Sequence, residues 1–258
     1  MSTEFLTTDL TDGLLTVTIN RPEVRNALNA DVLTEIGEVL NNAEADAEVQ
    51  GIIFTGAGEK AFIAGVDITG LVNYTAVDGL TAAMQKLYDR IENFPRPTLA
   101  ALNGYALGGG CELAMACDLR IASTTAQIGL PETALGVLPG AGGTQRLTRL
   151  VGRGRAVEMI LSGRFVPAEE ALQMGLVTRV TEPEELLDTA RQTLLGITAR
   201  GPLAIRLAKL VIKHGADADQ ATGQIIERLA QSLLYQSEDK AEGAGAFLEK
   251  RTPRFTGR

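Results

Sequence analysis

The sequence predicts an α/β domain closed by a helical tail. Three observations carry this: strand-like and helix-like patterns alternate over the first half of the chain, glycine clusters stand at strand ends, and the pattern turns mostly helical beyond Gly142. The chain has 258 residues, 45% apolar and 22% charged, the composition of a globular protein with a sizeable core. No apolar run approaches the roughly 18 residues a membrane span needs. Met1 to Leu10 is polar and acidic, so no secretory or transit peptide is expected. A net charge of -8 argues against a nucleic-acid partner. Cys111 and Cys117 make no disulfide framework, and a reducing cytoplasm is the expected location.

Gly13 to Asn20 alternates apolar and polar residues with β-branched side chains and reads as a strand. Asn29 suits the N-cap of a helix that puts Val32, Leu33, Ile36, Val39 and Leu40 on one face. Gly51 to Thr55 is a second strand, ended by Gly56-Ala-Gly58. A helix from about Leu80 to Ile91 is stopped by Pro95 and Pro97. Thr98 to Leu102 and Leu119 to Ala122 are two more strands. Thr181-Glu-Pro-Glu184 reads as a capping box before a helix reaching about Ala199. Ile225, Ile226, Leu229, Leu233 and Leu234 form an apolar helical stripe in the tail. Such a face is normally buried against the core or another subunit.

The single histidine, His214, near the end of a helical pattern, reads as a solvated residue at a helix C-terminus. It provides neither a zinc ligand set nor, without a G-x-S-x-G turn, a serine triad. The glycine clusters are the denser signals. Gly56-Ala-Gly58-Glu-Lys-Ala61 matches an alanine-ended dinucleotide fingerprint after a strand, but Phe62 to Gly65 looks extended where that motif needs a helix. Gly108-Gly109-Gly110 followed by helix formers describes backbone turning into a helix, where N–H groups can approach a ligand closely. Glu112 falls in the first turn of that helix. Gly140-Ala-Gly142-Gly143 opens another helix, preceded by Pro131-Glu132 in a mostly apolar stretch that can desolvate an acid. Taken singly, each glutamate also reads as a helix-start or loop charge. Taken together, amide donors suit a developing oxyanion and two carboxylates suit paired proton transfers, which favours an enzyme acting on a carbonyl through an enolate-like state.

The segments Asn20-Arg-Pro-Glu-Val-Arg-Asn26-Ala-Leu28, Ala61-Phe-Ile-Ala-Gly-Val-Asp67-Ile68, Asn103 to Glu112, Ile128 to Glu132, Gly136 to Leu147 and Ala246 to Arg251 stand in the order seen in the crotonases. By them the chain resembles the enoyl-CoA hydratase/isomerase family over nearly its whole length. The resemblance implies a spiral of ββα turns over residues 1–200, holding the active site, and a helical C-terminal region over residues 201–258 for trimerisation and coenzyme A contacts. It implies an acyl-CoA thioester substrate and a homotrimer or homohexamer, with no nucleic-acid or membrane partner. No metal or redox cofactor is expected, coenzyme A being part of the substrate. By position, the N–H groups of Val66 and Gly109 form the oxyanion hole, Glu112 and Glu132 are the acid–base pair, and Gly140 faces them from a helix end. Arg25, Ala64, Asp67, Ile68, Phe247 and Lys250 fall at positions expected to contact coenzyme A. Having both glutamates favours a hydratase. A Δ3,Δ2-enoyl-CoA isomerase, a related acyl-CoA dehydratase and a non-catalytic binding protein of the same fold are the alternatives. Ile63 and Val66 are bulkier than the family's usual residues there, and Thr69 replaces a lysine common in short-chain hydratases.

Overall fold

The computed structural model describes residues 4–258, with backbone alone for Gly70, Leu71 and Val72. The chain divides into two compact units. One holds the residues up to Phe94 together with Thr98–Gln192, and the other holds Pro95–Pro97 and Thr193–Arg258.

In the first unit, β1 (Leu6–Thr11) and β2 (Leu14–Ile19) form an antiparallel hairpin, with Leu6 opposite Ile19. β1 lies at a sheet edge and buries only Leu6, which explains why its sequence is too polar to read as a strand. Helix α1 (Ala30–Ala45) is capped by Asn29, whose side chain accepts from the Val32 N–H at 2.9 Å. Val32, Ile36, Val39 and Leu40 are buried as expected, and Leu33 packs at the margin of the core.

Three strand pairs then repeat. β3 (Gly51–Gly56) and β4 (Ala61–Ile63) are followed by α2 (Ala76–Thr81) and α3 (Ala83–Glu92). β5 (Thr98–Leu102) and β6 (Tyr105–Leu107) are followed by α4 (Gly109–Ala116), and β7 (Leu119–Ser123) and β8 (Gln127–Gly129) by α5 (Gly143–Val151) and α6 (Arg153–Ser162). β9 (Phe165–Pro167), α7 (Ala168–Gln173), β10 (Arg179–Thr181) and α8 (Leu186–Thr198) follow. The first strand of each pair joins a six-stranded sheet ordered β1-β2-β3-β5-β7-β10, and the second joins a four-stranded sheet ordered β4-β6-β8-β9. Pairing is parallel except β1 with β2 and β8 with β9. This is the expected spiral of ββα turns. All of β3 and β5 and all of α4 are buried, so the central strands and, apart from Glu112, one helix carry apolar or small residues on every side.

Two expectations are corrected. The helix expected over Leu80 to Ile91 is two helices, broken at Ala82, which takes a left-handed conformation with φ 49°. The new helix gives α3 its own inward face of Leu87, Tyr88 and Ile91. Thr181 does not cap a helix. It ends β10, and its hydroxyl bonds the Glu185 carboxylate while a short 3₁₀ turn, Pro183–Glu185, leads into α8.

The second unit contains α9 (Pro202–Ala216), α10 (Gln220–Tyr235) and α11 (Glu238–Glu249). Asp239 ties the chain end to the start of α11. Its carboxylate accepts from the N–H groups of Thr256 (2.6 Å) and Gly257 (2.9 Å). Among the described residues, no helix is long and apolar enough to cross a membrane.

Candidate active site

The site is assembled at the first turn of α4. Gly108, with φ 51° and ψ −123°, turns the chain from β6 into the helix in a conformation that L side chains rarely adopt. A Cβ on Gly108 would lie 3.2 Å from Oε1 of Glu132, so the turn passes directly under that carboxyl. At Gly109 a Cβ would come within 2.7 Å of Cγ2 of Val66. Glycine here lets the two backbone segments approach.

Val66 forms an isolated parallel bridge with Leu28. The Leu28 N–H donates to the Gly65 carbonyl (3.0 Å) and the Asp67 N–H to the Leu28 carbonyl (2.7 Å). Amides alternate in direction along extended chain, so the N–H of Val66 points away from Leu28. The Gly109 N–H opens α4 and belongs to the first-turn donors that have no acceptor within their own helix. Two amide donors thus stand on touching segments, beside the positive end of a helix.

Glu112 is 1% exposed. Its Oε1 accepts from the N–H groups of Ala141 (2.7 Å) and Gly143 (2.8 Å), the latter opening α5. Burial pushes the Glu112 carboxyl up from the ordinary range, while those two amides and the Arg146 guanidinium oppose it by stabilising the charged form. Arg146 is itself held by Asp89 (2.7 Å) and Glu92 (2.8 Å) of α3, and its Nη1 donates to the Ala141 carbonyl at 2.8 Å. Glu112 therefore has a second layer: α3 holds Arg146, Arg146 holds the Ala141 peptide, and Ala141 holds Glu112.

Glu132 begins a 3₁₀ turn, Glu132–Leu135, after Pro131. Its Oε2 is buried and has no hydrogen-bond partner among the described residues. Burial pushes its carboxyl up to about 7, its own backbone N–H opposes the shift, and the charge on Glu112 adds to it. The two carboxyls sense each other, but only Glu112 rests on amides of another segment.

The remaining expected residues divide by location. Gly140 is exposed, and the amides that hold Glu112 belong to its neighbours Ala141 and Gly143. Arg25 takes a left-handed conformation (φ 55°) and is exposed. With Asn26, Glu59 and Lys60 it lines a cavity of about 420 Å³, and its carbonyl accepts from the Ala64 N–H. Asn26 shapes that cavity: its amide donates to the carbonyls of Ala57 (3.0 Å) and Ala61 (2.8 Å). Asp67 is exposed and engaged locally, accepting from the Thr69 N–H (3.0 Å) and hydroxyl (2.8 Å), which hold its carboxyl below the usual range. Thus Thr69, where the family commonly has lysine, fixes a turn. Ile68 is exposed on the same turn. Phe247 and Lys250, in the second unit, are both exposed, Phe247 at 83%. The extended reading after Ala61 holds: Phe62 and Ile63 are in β4, which disposes of the dinucleotide fingerprint.

Sequence reasoning missed Ala141, Gly143, Arg146 and Tyr88, whose hydroxyl donates to the Gly109 carbonyl at 2.8 Å. Arg146 carried a readable signal, since a cation in the first turn of a helix opposes the dipole unless something holds it. The amides carried none, because any residue but proline supplies one.

The family model described as enoyl-CoA hydratase/isomerase matches residues 9–258. The chain is 45% identical over 237 residues to a short-chain-enoyl-CoA hydratase of Clostridium acetobutylicum, covering 91% of each chain. It is 42% identical over 257 residues to a crotonyl-CoA hydratase of Syntrophomonas wolfei, covering 99% of each. Its fold superposes on an enoyl-CoA hydratase structure from Bacillus anthracis with a TM-score of 0.95 at 40% identity, over 99% of this chain and 100% of that one. With the ββα spiral and the amide-lined carboxylate pair, these likenesses establish that the chain belongs to the enoyl-CoA hydratase/isomerase family.

Proposed function

We propose that this protein is an enoyl-CoA hydratase, a hydro-lyase that adds water across the C2–C3 double bond of a trans-2-enoyl-CoA to give the 3-hydroxyacyl-CoA. The observation that carries the reading is the pair of unlike carboxyls at one glycine-built helix start. Glu112 rests on two amides that favour its charged form, and Glu132 has its carboxyl near 7 and a buried oxygen free to meet a substrate. The hydratase names of the full-length relatives support it.

The thioester oxygen is received by the N–H groups of Val66 and Gly109, which draw electron density out of the conjugated double bond and make C3 electrophilic. Glu112, as carboxylate, takes a proton from water as the water oxygen bonds to C3. Glu132, as acid, delivers its proton to C2, where the electron pair of the broken π bond arrives. The net change is one water added, and proton exchange with solvent resets the pair. Two carboxyls in environments that separate their protonation states supply a base and an acid at one pH. Arg25, at the rim of its cavity, is the proposed contact to the coenzyme A phosphates, Ala64, Asp67 and Ile68 are further coenzyme A contacts, and Phe247 and Lys250 are contacts to its nucleotide part. The enzyme acts in the cytoplasm as a homotrimer or a homohexamer.

The test is the loss of conjugated enoyl absorbance when trans-2-enoyl-CoA is added. Glu112→Gln and Glu132→Gln should each lower kcat by about 10²–10⁴-fold with little change in KM. Retention of more than half of wild-type kcat by either variant removes that residue from the mechanism.

A further inference from the structure

Tyr88 is among the largest fully buried side chains, and its hydroxyl donates to the carbonyl of Gly109 at 2.8 Å. That carbonyl does not need the phenol, because α4 offers it the N–H of the fourth residue onward as every helix does. The bond therefore fills the carbonyl's second acceptor direction. Three consecutive glycines, Gly108 to Gly110, leave this turn without a Cβ to restrict its backbone angles. An oxyanion donor must nevertheless be aimed before the reaction starts. Burial, with the charge on Glu112 added, raises the Tyr88 phenol well above its usual value, so it stays protonated and donates throughout the working pH range.

We infer that Tyr88 is a positioning residue of the oxyanion hole: by anchoring the Gly109 carbonyl it fixes the Gly109–Gly110 peptide, and so limits the rotation about Gly109 that would turn its own N–H, carried by the preceding peptide, away from the thioester oxygen. The inference rests on the reading of that N–H as an oxyanion donor. The same helix, α3, supplies Asp89 and Glu92 to Arg146 and so braces the cradle of Glu112. One helix thus holds both halves of the site.

The experiment uses the full-length enzyme and a push–pull probe, 4-dimethylaminocinnamoyl-CoA, whose absorbance moves to the red when donors polarise its thioester carbonyl. Tyr88→Phe removes one oxygen from a buried ring and keeps its shape. It should lower kcat about 5- to 30-fold, leave KM within about twofold, and shrink the red shift of the bound probe. The pH profile should keep its limbs, because both glutamates remain. Replacing Tyr88 by 4-aminophenylalanine, which restores a donor in place, should recover most of the shift and the rate. Ile91→Val, which trims the same buried face of α3, should lower the melting temperature and leave the shift unchanged.

A Tyr88→Phe enzyme with wild-type kcat and a wild-type red shift overturns the inference. So does one that melts early but polarises the probe as wild type does, since that is a packing role alone. If the wild-type enzyme binds the probe without any red shift, the oxyanion reading of Gly109 fails, and this inference fails with it.

Discussion

The carboxyl of Glu132 stands near 7 because burial penalises its charge and the charge on Glu112 adds to that penalty, with only its own backbone N–H in opposition. In its proposed role as general acid Glu132 must hold its proton, so in the free enzyme the competent fraction falls as pH rises through about 7. The kcat/KM profile should therefore decline over that interval, and Glu132→Gln should lose this limb along with most of its rate. The same shift has a stability consequence of definite sign. Between 4.5, its ordinary value, and about 7, the folded chain keeps a proton that the unfolded chain has released, so stability falls as pH rises across that window. Glu132→Gln should therefore melt above wild type at about pH 8, and the two should converge below about pH 4. Thermal melts at the two pH values check this, and equal melting temperatures at the higher pH would show that Glu132 titrates normally. Glu112 differs because its charge is received by the Ala141 and Gly143 amides. Both glutamates were visible in the sequence as acids beside glycine turns. Their expected roles, Glu112 as base and Glu132 as acid, came with the resemblance. The sequence could not show which amides face which oxygen.

At the scale of the element, α4 does the assembling. Its first turn contributes the Gly109 N–H and Glu112, and its tight glycine face lets Val66 approach. This allows the amide to be tested apart from the space around it. Gly109→Ala keeps the N–H but drives a methyl group toward Val66, while Gly109→Pro crowds the same place and also deletes the donor. Proline is compatible with the first position of a helix, so the fold should survive. The proline variant should lie about 10²–10³-fold below the alanine variant in kcat. Equal rates for the two would show that the N–H holds no oxyanion. The elements that could be read from sequence were those long enough to show a period: β2, β3, β5, β7, α1, α8 and α10. β6, β8, β9 and β10, at three residues each, cannot display an alternation and are defined by their neighbours. The break between α2 and α3 was hidden for another reason, since Ala82 takes a left-handed conformation with no glycine or proline to announce it.

For the whole molecule, the stripe expected on α10 divides: Ile226 and Leu234 are partly buried, while Ile225, Leu229 and Leu233, spaced four apart, are 51%, 63% and 63% exposed in the single chain. A row of that kind on one helical face suits the proposed assembly of this chain with copies of itself. Wild-type protein at micromolar concentration should sediment as a trimer or a hexamer, and Leu229→Glu should shift it toward monomer with its helical signal intact. A stable wild-type monomer would contradict the proposed assembly. The chemistry is tested more directly by following the oxygen. A hydratase must place a solvent oxygen on C3, whereas an isomerase only moves a proton and the double bond. If the chemistry is hydration, trans-2-enoyl-CoA incubated with the enzyme in ¹⁸O-water gives labelled 3-hydroxyacyl-CoA, and Glu112→Gln abolishes the labelling. Conversion of a 3-enoyl-CoA to unlabelled 2-enoyl product, with no labelled hydroxyacyl-CoA from short or medium chains, would contradict it.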